Sequence, residues 1–194
     1  MKFTDLSEHL HELRATRTNN AMVKGRMMSA MDIWQGALDS DRNNVKDIRV
    51  LIDTLPPGFE GIFLRYSQKN EEKVIIATGI GLSHPRQRFV IAKELMHCWS
   101  PKDSYVGDPK IASDLALALT YKTTIDASML KIVQADRAAI TAAAEVILPH
   151  YVIEKEIREG ISLEETASRH NLDMEIAREI CPHYTLAARK NGYL

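Results

Sequence analysis

Three polar residues at helical spacing stand out in a largely apolar stretch: Lys93, Glu94 and His97 in Gln87-Arg88-Phe89-Val90-Ile91-Ala92-Lys93-Glu94-Leu95-Met96-His97-Cys98. Residues four apart share one helix face, so Lys93 and His97 point the same way with Glu94 beside them. With a histidine at 93 the pattern would be H-E-x-x-H, in which two imidazoles grip a metal ion and the glutamate works on its bound water. Lysine stands there instead. A protonated lysine has three donors and no lone pair for a metal; only strong burial could deprotonate it. A further carboxylate, Asp136, lies in the alanine-rich segment Ala127 to Leu148, which is expected to be a central, buried helix. A charge near a core is costly unless it has a partner.

Other candidates carry less chemistry. Ser83, with His84 behind it, is placed where it could sit at the mouth of a pocket lined by the 87–98 helix. His9 and His11 are two apart, hence on different faces of a helix, and read as solvent-facing; an H-x-H metal pair would require a strand. His97 precedes Cys98 directly, but adjacent helix residues point about 100° apart, which disfavours a thiol–imidazole pair. Gly79-Ile80-Gly81 runs into Leu82-Ser83-His84 without the third glycine or the lysine of a phosphate-cradling loop.

The elements that must position these residues follow from periodicity. Leu6, Leu10 and Leu13 predict a first helix ending near Thr16, and residues 20–38 a second, with a methionine stripe suited to core or interface packing. Asn43 to Leu55 reads as a third helix, stopped by Pro56-Pro57-Gly58. The period then shortens: 60–66 and 73–78 are β-rich runs joined by a polar hairpin loop, 67–72. Gly79, Gly81 and Pro85 break the second run before the helix that carries Lys93. Residues 111–120 read as helical, then 127–148, which stops at Pro149. Ser162-Leu163-Glu164-Glu165 is a capping box, and Asp173 caps a helix from Met174 to Cys181, the two resembling a helix-turn-helix pair.

Composition bounds the function. The chain has 194 residues, 25 basic against 26 acidic, so no general polyanion-binding field is expected. The candidate recognition helix has Arg178 against Glu175 and Glu179, which disfavours direct DNA contact. Met1–Asp5 offers no apolar run for a signal peptide, and no segment approaches the roughly 18 apolar residues of a membrane span. Cys98 and Cys181, far apart in sequence, read as free thiols of a cytoplasmic protein.

The ordered set of Arg88, Phe89, Ala92, Glu94, Leu95 and His97, then Asp136, Ala139, Ala143, Leu148 and Pro149, resembles the ImmA/IrrE family of bacterial metallo-endopeptidases. The resemblance covers roughly residues 45–182. It implies an α+β fold: a mostly helical zincin-like domain with a small antiparallel β-hairpin or sheet and a helix-turn-helix-like C-terminal tail. The corresponding division is 1–42 for N-terminal helices, 43–150 for the peptidase-type core and 151–194 for the helical tail. By position, His97 and Asp136 would be zinc ligands and Glu94 the general base. Family members with known roles cleave helix-turn-helix repressors in phage, mobile-element or stress-response settings, which implies a protein partner of that type.

The chain departs from the family pattern at Lys93 in place of the first histidine, and also at Met96, Ile140 and Ala142. His97 and Asp136 alone are one protein ligand short of a catalytic zinc site. The expectation is that the Lys93 ammonium takes the cation's place, paired with Asp136 or Glu94, so that zinc is absent or weakly held and the scaffold serves regulation or partner binding. Two other readings stand beside it. One is an active zinc endopeptidase cleaving a repressor, with His84 recruited as a ligand. The other is an unrelated helical structural or interaction protein.

Overall fold

Ser29 opens the helix Ala30–Asp39 (α2) with a reciprocal cap: its hydroxyl accepts from the Asp32 N–H, and the Asp32 carboxylate accepts from the Ser29 N–H. The computed structural model describes residues 9–13, 28–100, 127–178 and 180. The predicted helix at 111–120, most of the first helix, residues 20–27 of the second and Cys181 therefore lie outside the described residues. Residues 9–13 are helical (α1). The two histidines there are not solvent-facing: His11 is buried, and His9 Nε2 meets Ser40 Oγ at 2.9 Å.

The predicted third helix is a strand, Val45–Asp53 (β1). Its apolar positions 45, 48, 51 and 52 suit either period, but β-branched Ile48, Val50 and Ile52 alternate as a strand requires. Asn43 and Asn44 make the turn before it. The Asn43 side chain bonds Ala37 C=O and Val45 N–H, while Asn44 adopts φ 56°. Gly61–Gln68 (β2) and Glu71–Gly79 (β3) form the expected hairpin, and the loop contracts to a two-residue turn with both Lys69 and Asn70 at positive φ. The order is β1-β3-β2, with β1 parallel to β3 and β2 antiparallel to it. The sheet is thus mixed rather than purely antiparallel, and the fold of the described residues is α+β.

His84–Met96 (α3) starts under a Ser83 cap with Pro85 in its first turn, and continues into a 3-10 turn, His97–Trp99. It packs on the sheet with one side and on Ala127–Ile147 (α4) with another. Ala139, Ala142, Ala143 and Ala144 of α4 are buried, small side chains that let helix axes come close. Pro149 ends α4, and His150–Arg158 (α5), Leu163–Arg169 (α6) and residues 174–178 (α7) follow. Ser162 caps α6 by accepting from Glu165 N–H, and Asp173 accepts from Glu175 N–H at the start of α7. Leu10, Ile33, Ile76, Leu95, Ala143, Ile153 and Ile176 belong to one apolar cluster, so the stretches 1–42, 43–150 and 151–194 all contribute to it. No helix among the described residues is long and apolar enough to cross a membrane.

Candidate functional site

The last turn of α3 faces the middle of α4, and there Lys93, Glu94, His97 and Asp136 meet. Lys93 Nζ donates to Asp136 Oδ1 at 2.8 Å and lies 2.8 Å from Glu94 Oε1. The second contact is an ion pair rather than a well-aligned hydrogen bond. His97 Nε2 is 3.7 Å from Asp136 Oδ1 and 3.9 Å from Glu94 Oε2. The ammonium therefore occupies the space between the two carboxylates, with the imidazole facing both. Glu94 is the buried end of the cluster, its side chain 4% exposed, whereas the Asp136 side chain is 43% exposed and meets solvent.

Charge pairing sets the protonation of the cluster. Burial pulls the Lys93 ammonium down, but attraction to Glu94 and Asp136 and the hydrogen bond to Asp136 outweigh it, and the net shift is upward. Burial would likewise raise the Asp136 carboxyl, yet the facing His97 imidazole and the Lys93 ammonium hold it well below the usual carboxylate range. Lys93 is thus a cation at neutral pH, with no lone pair for a metal or for attack on a carbonyl.

β2 forms the wall beside Glu94. Gly61 approaches so closely that an added Cβ would lie 2.5 Å from Glu94 Oε1 and 2.6 Å from Val90 Cγ1. Phe63 stands on the same face of β2 two residues on, its ring 5.5 Å from that of His97 and tilted by 45°. Ser100 Oγ lies 3.4 Å from His97 Nδ1, at the end of the 3-10 turn. Arg65, next on this face of β2, donates to Glu72, to Cys98 C=O and to Asn43 C=O, tying the hairpin to the turn after α3. Cys98 itself is buried and its thiol is pushed up to about 12, so it is not a nucleophile. An open cavity of ≈ 330 Å³ is lined by Asn43, Arg65, Cys98 and Ser100 among others, but not by Lys93, Glu94 or Asp136.

The structure brings together four of the five residues singled out from the sequence. His84 is the exception. It is exposed at the first turn of α3, nine residues and about 14 Å of helix from Lys93, and neither lines the cluster nor is placed to serve as a ligand in it. The α3 N-terminus instead holds the tail. Ser83 Oγ donates to Asp173, Arg86 pairs with Glu60, Asp173 and Glu175, and one Arg88 nitrogen donates to both His170 C=O and Asn171 C=O. Gly61, Phe63 and Ser100 were not found from the sequence; the hairpin's place before α3 was the available signal for the first two.

A zinc ion does not fit these residues. The space between His97, Glu94 and Asp136 is filled by a protonated amine. Among the described residues no three His, Cys, Asp or Glu side chains are grouped to hold a metal. Comparison with known proteins adds no relative: no family model, no curated protein and no solved structure matches the chain.

Proposed function

We propose that this chain is a regulatory or partner-binding protein built on an ImmA/IrrE-like metallopeptidase scaffold, with zinc-dependent proteolysis lost or weakened. The observation that carries the reading is the Lys93 ammonium at 2.8 Å from both Glu94 and Asp136. The resemblance assigns those positions to the general base and a metal ligand, and here both face a single ammonium. A glutamate buried against a lysine cannot take a proton from water as a free carboxylate does. The scaffold then offers surface rather than chemistry. Its partner in this reading is a protein, a helix-turn-helix repressor being the type the resemblance implies, and not DNA, since Arg178 is the lone cation among the described residues of α7.

The test is zinc uptake at equimolar metal, read by metal analysis after dialysis, on the wild type and on Lys93→His. The expected result is sub-stoichiometric zinc in the wild type and near-stoichiometric zinc in the variant, where two imidazoles at i, i+4 and Asp136 would make three donors. Stoichiometric zinc in the wild type, with proteolysis that Glu94→Gln removes, would establish an active peptidase instead. A Lys93→His variant that folds but gains no zinc affinity would overturn the decayed-site reading.

A further inference from the structure

The strand β1 ends in a segment that a folded chain rarely leaves bare. It lies at the edge of the sheet opposite β2. From Arg49 to Asp53 every residue is exposed, including the consecutive apolar Val50 (41%), Leu51 (49%) and Ile52 (57%). Exposed edges carrying apolar side chains are templates for another strand, and proteins ordinarily blunt them with lysine, proline or a covering element. Residues 49–53 contain neither lysine nor proline.

The backbone fixes which groups face outward. Ile80 N–H donates to Asp53 C=O, so Asp53, and by alternation Leu51 and Arg49, direct their polar backbone groups at β3. Val50 and Ile52 direct theirs to the open edge. The register also fixes the faces. Val50 and Ile52 pair with Ile76 and Thr78 on the side covered by α3, while Arg49, Leu51 and Asp53 pair with Ile75, Ala77 and Gly79 on the other.

We infer that β1 is the interface of a symmetric homodimer, in which two copies pair their β1 strands antiparallel about a two-fold axis at Leu51. In that register Val50 of one copy lies opposite Ile52 of the second, and both are edge-facing residues able to exchange their N–H···O=C bonds. Leu51 meets Leu51 at the axis. Arg49 lies opposite Asp53 of the second copy, on the same face and twice by symmetry. Neighbouring registers fail on charge or burial. An axis at Val50 sets Asp47 against Asp53, one at Arg49 sets arginine against arginine, and one at Ile52 sets Leu51 against Asp53. Shifts by one residue put edge-facing groups against inward-facing ones. The strand is thus self-complementary in one register, which is the argument for a second copy over an unrelated partner strand. The pairing would join two three-stranded sheets into one and leave both β2 edges, with Gly61 and Phe63 beside the Lys93 cluster, at its two ends.

The experiment is sedimentation equilibrium of the full chain over a concentration series, with exposed-site variants that leave the core alone. The wild type is expected at twice the chain mass. Arg49→Asp should weaken the dimer by roughly tenfold or more, and Arg49→Asp with Asp53→Arg should recover most of it. In a Cys181→Ser background, Leu51→Cys should form an interchain disulfide on mild oxidation, since directly opposed residues of a non-hydrogen-bonded pair bring their Cβ atoms within disulfide reach. Arg49→Cys, well away from its symmetry mate, should not. A wild type that stays monomeric at about 100 μM, near the weak end of specific association, overturns the proposal. So does a dimer indifferent to Arg49→Asp, or one in which Leu51→Cys fails to cross-link.

Discussion

Lys93 of α3 and Asp136 of α4 are joined by a 2.8 Å ion pair across the seam between the two helices, and the same ammonium reaches Glu94 at 2.8 Å. Removing the amine while leaving Glu94 strands a carboxylate that is almost fully buried. Lys93→Met is expected to cost about 3 kcal/mol, the usual penalty for breaking a buried pair from one side. Adding Glu94→Gln should recover most of that loss, because the neutral amide needs no counterion. Urea unfolding of the two single variants and the double gives the coupling directly. Additive losses would show that Lys93 and Glu94 do not act as a unit.

The pair also predicts a pH profile. The Asp136 carboxyl is depressed in the folded chain, so its stabilisation is fully present above the unfolded value of about 4 and is lost as pH falls through the folded value. The Lys93 ammonium is raised, so its stabilisation is fully present below about 10.4 and is lost as pH rises through the folded value. The stability difference between wild type and Asp136→Asn should therefore be flat from about pH 8 to 9, at about 1 kcal/mol given the half-exposed carboxylate, and shrink below about pH 4. A histidine-held metal would loosen between about pH 7 and 5 as imidazole protonates, and a chelator would then lower stability at neutral pH. Unfolding at about pH 7.5 with and without a chelator separates the two cases.

Parts of this arrangement were legible in the sequence because they are local. Lys93, Glu94 and His97 share a helix face by spacing alone, and a carboxylate such as Asp136 in an alanine-rich helix needs a counterion wherever it lands. The hairpin was legible from its change of period. β1 was not: its apolar positions suit a helix as well as a strand, and what decides is pairing with β3, where Ile48 meets Val74. Its one trace in residues 45–53 themselves is the alternation of β-branched Ile48, Val50 and Ile52. The tail's attachment was hidden for another reason. Arg88 belongs to the motif, but its partners are the carbonyls of His170 and Asn171, and a backbone group has no letter to read.

Gly61 is required by proximity rather than by its backbone angles. A methyl group there would press on Glu94 Oε1 and Val90 Cγ1 at about van der Waals overlap, the second being a packed branch of α3 with little room to move. Gly61→Ala is expected to lose about 1–3 kcal/mol, the range for overpacking a filled site, despite alanine's lower cost in unfolded-chain entropy. Thermal unfolding of Gly61→Ala beside Gly81→Ala, where an added Cβ meets nothing within 4 Å, supplies the control. Equal effects at the two positions would mean that β2 does not press on Glu94.

Arg88 gives the last prediction. One of its terminal nitrogens lies 2.8 Å from His170 C=O and 2.9 Å from Asn171 C=O, at the turn where Asn171 takes φ 50°. That turn joins α6 to α7, so the guanidinium holds the two tail helices to the middle of the domain. Arg88→Met keeps most of the apolar stem and deletes both bonds. Two charge-assisted bonds from one nitrogen, partly exposed, amount to about 2 kcal/mol. The loss should be regional: amide exchange should quicken across 163–178 while β3 and the second half of α3 keep their protection. Arg86 would still bind Asp173 and Glu175, so the tail should loosen rather than detach. Uniformly faster exchange throughout the chain would instead assign Arg88 to the global core, and unchanged exchange in 163–178 would show that Arg86 and the apolar contacts of Ile176 and Ala177 hold the tail without it.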